Sequence, residues 1–99
     1  MIHFQVTYRI RSGCIVEAER EISAFAESLR SGQPRFEAYH IFRQVSDNAS
    51  YVHVIAFKDH EAQLKHTESP HVKTFVENML GFCVVGPIYT ELESVVAIG

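Results

Sequence analysis

Apolar residues in this chain recur first at every second position, then at helical intervals, then at every second position again. The order of those changes limits the fold more than any short motif does. Ile2, Phe4, Val6, Tyr8 and Ile10 alternate with His3, Gln5, Thr7 and Arg9, the period of a strand with one apolar face. Ser12-Gly13 ends it. Ile15, Ala18, Ile22, Phe25, Ala26 and Leu29 then follow helical spacing, with Glu17, Glu19, Glu21 and Glu27 placed mostly away from them. Ser31-Gly32-Gln33-Pro34 is a turn signal that closes the helix and admits a new strand.

Arg35 to Val45 and Ser50 to Lys58 are β-prone runs joined around Asp47-Asn48, a hairpin signal. With Asp47 and Asn48 as the loop, Ser46 pairs with Ala49, Phe42 with His53 and His40 with Ile55. One face of the hairpin then carries Phe36, Ala38, His40, Phe42, Tyr51, His53, Ile55 and Phe57. The other carries Tyr39, Ile41, Arg43, Val45, Val52, Val54 and Ala56, so both faces are largely apolar.

From Phe57 to Leu80 the period is helical again. Asp59 is a good N-cap for a short first helix with Leu64 as its apolar anchor and with Ala62 and His66 one turn apart. Ser69-Pro70 restarts the helix, Ser as cap and Pro at the first position, where its missing N–H costs nothing. Val72, Phe75, Val76, Met79 and Leu80 form the stripe that packs on a core, and Gly81 stops it. Cys83 to Ile98 supplies a last strand interrupted at Gly86-Pro87, where Pro implies a bulge, an edge or the start of the pairing proper.

The order β-α-β-β-α-β over residues 1–99 predicts a single ferredoxin-like α+β sandwich. Two helices cover only one face of a four-stranded sheet. Leaving Val45, Val52, Val54 and Ile41 in water would forgo on the order of 1.5–3 kcal/mol per side chain. The expected cover is a second copy packing sheet against sheet, an obligate homodimer.

Composition narrows the function. Hydrophobic content of 46% with 11% aromatics is that of a folded protein. A net charge of -3 without a Lys/Arg stripe argues against nucleic acid as a partner. No apolar run approaches the roughly 20 residues that span a bilayer, so no membrane role is expected. The alternating start does not read as a signal peptide, and Cys14 and Cys83 read as reduced thiols of a cytoplasmic protein.

Six histidines raise the question of a metal. His66 and His71 stand five apart across a Pro, not at the i, i+4 spacing of a helical zinc pair, and no C-x-x-C accompanies them; no metal is expected. These two either cap and pack the helix joint or line a pocket between helices and sheet. There the helix N-terminus would keep an imidazole neutral, able to accept a phenolic proton. His40 and His53, among Phe36, Phe42, Tyr51 and Phe57, either hydrogen-bond within the core or orient a flat apolar ligand by its oxygens.

With that order in place, the chain resembles the antibiotic biosynthesis monooxygenase family of dimeric α/β-barrel proteins. The resemblance rests on Tyr39 in the second strand, Phe57 closing the third, His66 nine residues later, His71 five beyond it, and the helix start His71-Val-Lys-Thr-Phe75. It implies oxidation of a small phenolic, quinol or polycyclic aromatic by molecular oxygen without metal or flavin, hence no cofactor. It implies His71 and His66 as bases, His40, His53, Tyr39 and Tyr51 as substrate contacts, and Phe57 and Phe75 as apolar wall. Departures are Ile55 where many relatives carry a carboxylate, Phe57 where Trp is common, and Arg35-Phe36 in place of Gly-Cys. Haem-degrading relatives use an Asn and a His where Tyr8 and Val76 stand here, which disfavours that activity. The alternatives are a non-catalytic dimeric binding or regulatory module of the same fold, and a non-oxidative isomerase or decarboxylase.

Overall fold

The computed structural model describes residues 1–32 and 35–99. Gln33 and Pro34, the second half of the expected turn signal, lie outside the described residues. The elements run β1 (Ile2–Ile10), a 3-10 turn (Ser12–Cys14), α1 (Ile15–Ser31), β2 (Ala38–Arg43), β3 (Ser50–Phe57), α2 (His60–Glu68), α3 (Pro70–Leu80) and β4 (Cys83–Leu92). The strands form one antiparallel sheet in the order β2-β3-β1-β4. This is the ferredoxin-like α+β arrangement the sequence predicts.

The alternation of β1 carries through to the structure. Tyr8 and Ile10 are buried with Ala18 and Phe25 of α1 and with Val72, Phe75 and Met79 of α3. Phe4 and Val6 belong to the same helix-covered side, while His3, Gln5 and Thr7 point to the outer side. The expected Asp59 cap is present, its carboxylate accepting from the Ala62 amide at 2.9 Å. Ser69 does not cap α3 with its side chain; the hydroxyl donates back to the carbonyl of His66 at 2.7 Å. Leu64 is not the anchor of α2. It is 55% exposed, and His66 is the residue that this helix buries. Leu80, expected in the stripe of α3, is exposed as well.

The hairpin differs from expectation by one residue. Tyr39 lies opposite Ile55, Ile41 opposite His53 and Arg43 opposite Tyr51, and Gln44 and Ser50 close the pair with a backbone bond of 2.9 Å. The loop is therefore Val45 to Ala49, not Asp47-Asn48 alone. Asp47 organises it: its carboxylate accepts from the Ala49 amide at 3.1 Å, the Ser50 hydroxyl at 2.8 Å and Arg9 at 3.0 Å. A shift of one residue turns every side chain of β2 to the other face. Tyr39, Ile41 and Arg43 thus share the helix-covered side with His53 and Ile55, and Ala38, His40 and Phe42 go outside with Val52 and Val54.

Two of the four residues expected to require a partner lose that argument: Val45 sits in the loop, and Ile41 faces the helices. Other apolar side chains stand on the outer face instead. Phe42 is 53% exposed, Ile88 51% and Leu92 39%, beside half-buried Val52 and Val54. Strand β4 ends at Leu92 rather than Ile98, and its pairing with β1 is irregular between Thr7 and Ile10. Gly86 stands at that irregularity with φ 78°, and a Cβ there would lie 2.6 Å from the Thr7 carbonyl oxygen. The position admits only glycine.

Candidate functional site

Strands β1 and β3 place Val6 beside His53, so Tyr8, two residues on, reaches the imidazole diagonally along the same face. From the other side β2 places Tyr39 diagonally across from it. The result is a chain of three polar side chains in an apolar wall. The Tyr8 hydroxyl lies 2.7 Å from Nε2 of His53, and the Tyr39 hydroxyl 2.8 Å from Nδ1. His53 is 1% exposed and Tyr8 4%. Burial, reinforced by nearby His66, lowers the pKa of His53 to about 4, so the ring is neutral near pH 7. Burial also pushes both tyrosine hydroxyls well above their ordinary range, so they keep their protons.

Between this wall and the helices lies a cavity of about 400 Å³. Phe4, Ile55 and Phe57 line it from the sheet, Phe25, Phe75 and Met79 from the helices, and Pro87 and Tyr89 from β4. Exposed Thr67, Lys73 and Glu77 edge its mouth. The size and the apolar lining with few polar groups are those of a small-molecule site.

Helix α2 delivers His66 to the same cavity. Its ring packs against Phe57, Tyr39 and Phe36 at centroid separations of 5.4, 5.8 and 6.1 Å. Burial and then the neighbouring His71 lower its pKa to about 4. Among the described residues its ring nitrogens make no hydrogen bond, in contrast to His53, both of whose nitrogens are engaged. No three His, Cys, Asp or Glu side chains gather as a metal site among the described residues.

The residues expected from sequence separate into two groups. His53, His66, Tyr39, Phe57 and Phe75 line the cavity. His71, His40 and Tyr51 do not. His71 is exposed, with its ring centroid 6.5 Å from that of Phe25, and borders a separate small depression of about 20 Å³ beside Ser69. The first turn of α3 aims it away from the pocket that Phe75 enters. His40 is on the outer face, stacked on Phe42, as the register of β2 requires, and so is no neighbour of His53. Tyr51 stacks on Tyr8 on the same face, beside the wall and outside the cavity lining, and donates to Glu19 at 2.9 Å. Tyr39, which the expected register sets on the hairpin face opposite His40 and His53, is a direct partner of His53.

The residue missed is Tyr8. Its signal was a lone phenol on the apolar face of β1, where a buried hydroxyl requires a partner.

Fold and site together define a ferredoxin-like α+β protein that encloses an aromatic cavity between its helices and its sheet. Residues 1–78 match the model of the antibiotic biosynthesis monooxygenase family, and the chain belongs to that family. A crystal structure of an antibiotic biosynthesis monooxygenase superposes with a TM-score of 0.88 at 18% identity, over 96% of this chain and 99% of that one. Rv0793 from Mycobacterium tuberculosis gives 0.84 at 12% identity over 99% and 98%. PA3566 from Pseudomonas aeruginosa gives 0.81 at 16% over 96% and 94%. At these identities the likenesses speak to the fold. No curated protein matches the chain. Among the described residues no helix is long and apolar enough to cross a membrane.

Proposed function

We propose that the protein is a cofactor-independent monooxygenase of a small phenolic or quinol substrate, with His66 as the base. The observation that carries this reading is the neutral imidazole of His66, without a hydrogen-bond partner among the described residues, inside an aromatic cavity large enough for a fused-ring phenol. A flat ring system packs between Phe57 and Phe75, and its hydroxyl meets the His66 ring. The desolvation that keeps His66 neutral is offset once a phenolate forms beside it, because the ion pair favours the protonated ring. The phenolate is the stronger reductant and passes one electron to oxygen. The two radicals combine at a ring carbon, and loss of water leaves one oxygen atom behind. For a phenol with a free para C–H the balance is phenol plus O2 to para-quinone plus water. The chain's own share is positioning, proton removal and exclusion of bulk water.

The test is oxygen uptake by metal-stripped protein with a panel of phenols and hydroquinones. Substrate-dependent uptake that falls about 10²-fold in His66→Ala supports the reading, since a positioned base contributes on that order. His71→Ala is expected to change uptake by less than about threefold, and a larger loss would return His71 to the mechanism. Binding of the panel without uptake would favour the non-catalytic module, a reading supported by His53, whose two nitrogens are already satisfied by the chain itself. The partner we propose is a second copy seated on the outer face over Phe42, Val54 and Ile88. Val54→Asp is then expected to convert a dimer to a folded monomer in sedimentation; a wild-type monomer would end that proposal.

A further inference from the structure

A neutral imidazole has one N–H and one bare nitrogen. Flanked by two hydroxyls at 2.7 and 2.8 Å, it must accept from one tyrosine and donate to the other. The tyrosine that donates to the bare nitrogen keeps its oxygen free to accept. The tyrosine that accepts from the N–H keeps its own O–H free to donate. The wall therefore offers the cavity one acceptor and one donor, and exchange of the His53 tautomer swaps their places.

Resting on the reading of the cavity as a site for oxygen-bearing aromatics, the geometry points to Tyr8, His53 and Tyr39 as a charge-neutral proton relay. A ligand hydroxyl other than the one that meets His66 gives its proton to the oxygen of one tyrosine. That tyrosine's own proton passes to the bare nitrogen of His53, and the proton on the opposite nitrogen passes to the second tyrosine. The second tyrosine's original proton leaves to a carbonyl oxygen conjugated with the donating hydroxyl in the same ligand; the carbonyl becomes a hydroxyl as the first hydroxyl becomes a carbonyl, so the ligand stays neutral too. Three O–H or N–H bonds on the wall form and three break, and no electrons change hands. Both tyrosines stay phenols and His53 stays neutral, its tautomer reversed. Ionisation of any member is strongly disfavoured in this buried place, which makes a relay without charge the route open to it. His53 acts through the tyrosines and is a positioning residue.

The experiment reads the tautomer directly. Protein carrying 15N-labelled histidine is titrated without oxygen by 1-naphthol, which can donate, and by 1-tetralone, which can only accept. The nitrogen shifts of His53 are followed in each complex. With both tyrosines present the two probes can occupy different ones under one tautomer, so the comparison is made in Tyr39→Phe. There a donor and an acceptor on Tyr8 demand opposite tautomers, and the ratio of the two is expected to differ between complexes by about fivefold or more, the weight of one hydrogen bond. The double variant Tyr8→Phe/Tyr39→Phe is expected to bind both probes and to show no difference between them. Binding of both probes to Tyr39→Phe with one fixed tautomer overturns the relay and leaves the aromatic reading standing. Opposite tautomers in a protein that consumes no oxygen would uphold the relay and remove the monooxygenase reading. Binding of neither probe overturns both.

Discussion

The two faces of the sheet use similar residues to different ends. On the helix-covered side Tyr51, His53, Ile55 and Phe57 of β3 are all 4% exposed or less, while Val52 and Val54 on the outer side are half-buried. The inner face places its polar atoms where other side chains meet them, at Tyr8–His53–Tyr39 and at Tyr51–Glu19. The outer face leaves His40 and Gln5 without such a wall. What separates the two is burial by α1 and α3, not apolar content, since both faces are rich in apolar side chains. Burial turns ordinary histidines and tyrosines into neutral, directional hydrogen-bonding groups.

The largest expected contrast between the faces is in packing. Phe57→Ala removes a ring that is 1% exposed and is expected to cost about 3–5 kcal/mol. Val54→Ala on the outer face should cost about 1 kcal/mol or less within one subunit. Urea unfolding at one protein concentration measures both, and equal losses would show the outer face to be as tightly packed as the inner.

The second contrast is in pH. An unfolded imidazole takes up its proton near 6.5, whereas His53 and His66 in the folded chain do so only near 4. Between these values the unfolded state binds more protons. The stabilisation from neutral burial is therefore complete above about pH 7 and is lost as pH falls through that window. The effect is on the order of 3 kcal/mol per ring and less than additive for the pair, because each ring's charge would oppose the other's. Unfolding free energies from pH 7.5 down to 4 should show this slope, and His66→Gln should remove a large part of it. A flat profile would mean that the inner face is wetter than its burial indicates.

The smallest effect concerns the loop that assigns β2 to its faces. Ser50, the Ala49 amide and Arg9 hold the Asp47 carboxyl below the usual carboxylate range. Asp47→Ala is expected to lower the melting temperature slightly and to speed hydrogen exchange at the Ala49 amide. Unchanged exchange would show that the strands set the register without it.

How far the sequence could be read follows from the same contrast. In β1 polar residues occupy one side, so alternation alone identifies Phe4, Val6, Tyr8 and Ile10 as inward. In β2 and β3 both sides are apolar, so period two fixes which residues share a face within a strand but not how one strand meets the other. Asp47-Asn48 resembles a two-residue turn. The bonds that make it part of a five-residue loop come from Arg9 and Ser50, and the one to Arg9 crosses to another strand. In the expected register that one-residue difference sets His40 on the face of His53 and Tyr39 on the opposite one, although the family resemblance already implies Tyr39 as a substrate contact. His66 was legible from its place after the capped start of α2. The direction of His71 was not, because it depends on how the Ser69-Pro70 joint aims the first turn of α3.

The loop from Val45 to Ala49 also bears on how such a site can vary by insertion and deletion. Register, and not only face, is what reaches the cavity. One residue gained or lost here and passed on to β2 turns Tyr39 to the outer side and unpairs one nitrogen of His53. A change of two keeps Tyr39 on its own side but slides it about 7 Å along β3, which breaks the same bond. Viable length variants of this hairpin should therefore be those whose extra or missing residues the loop itself absorbs.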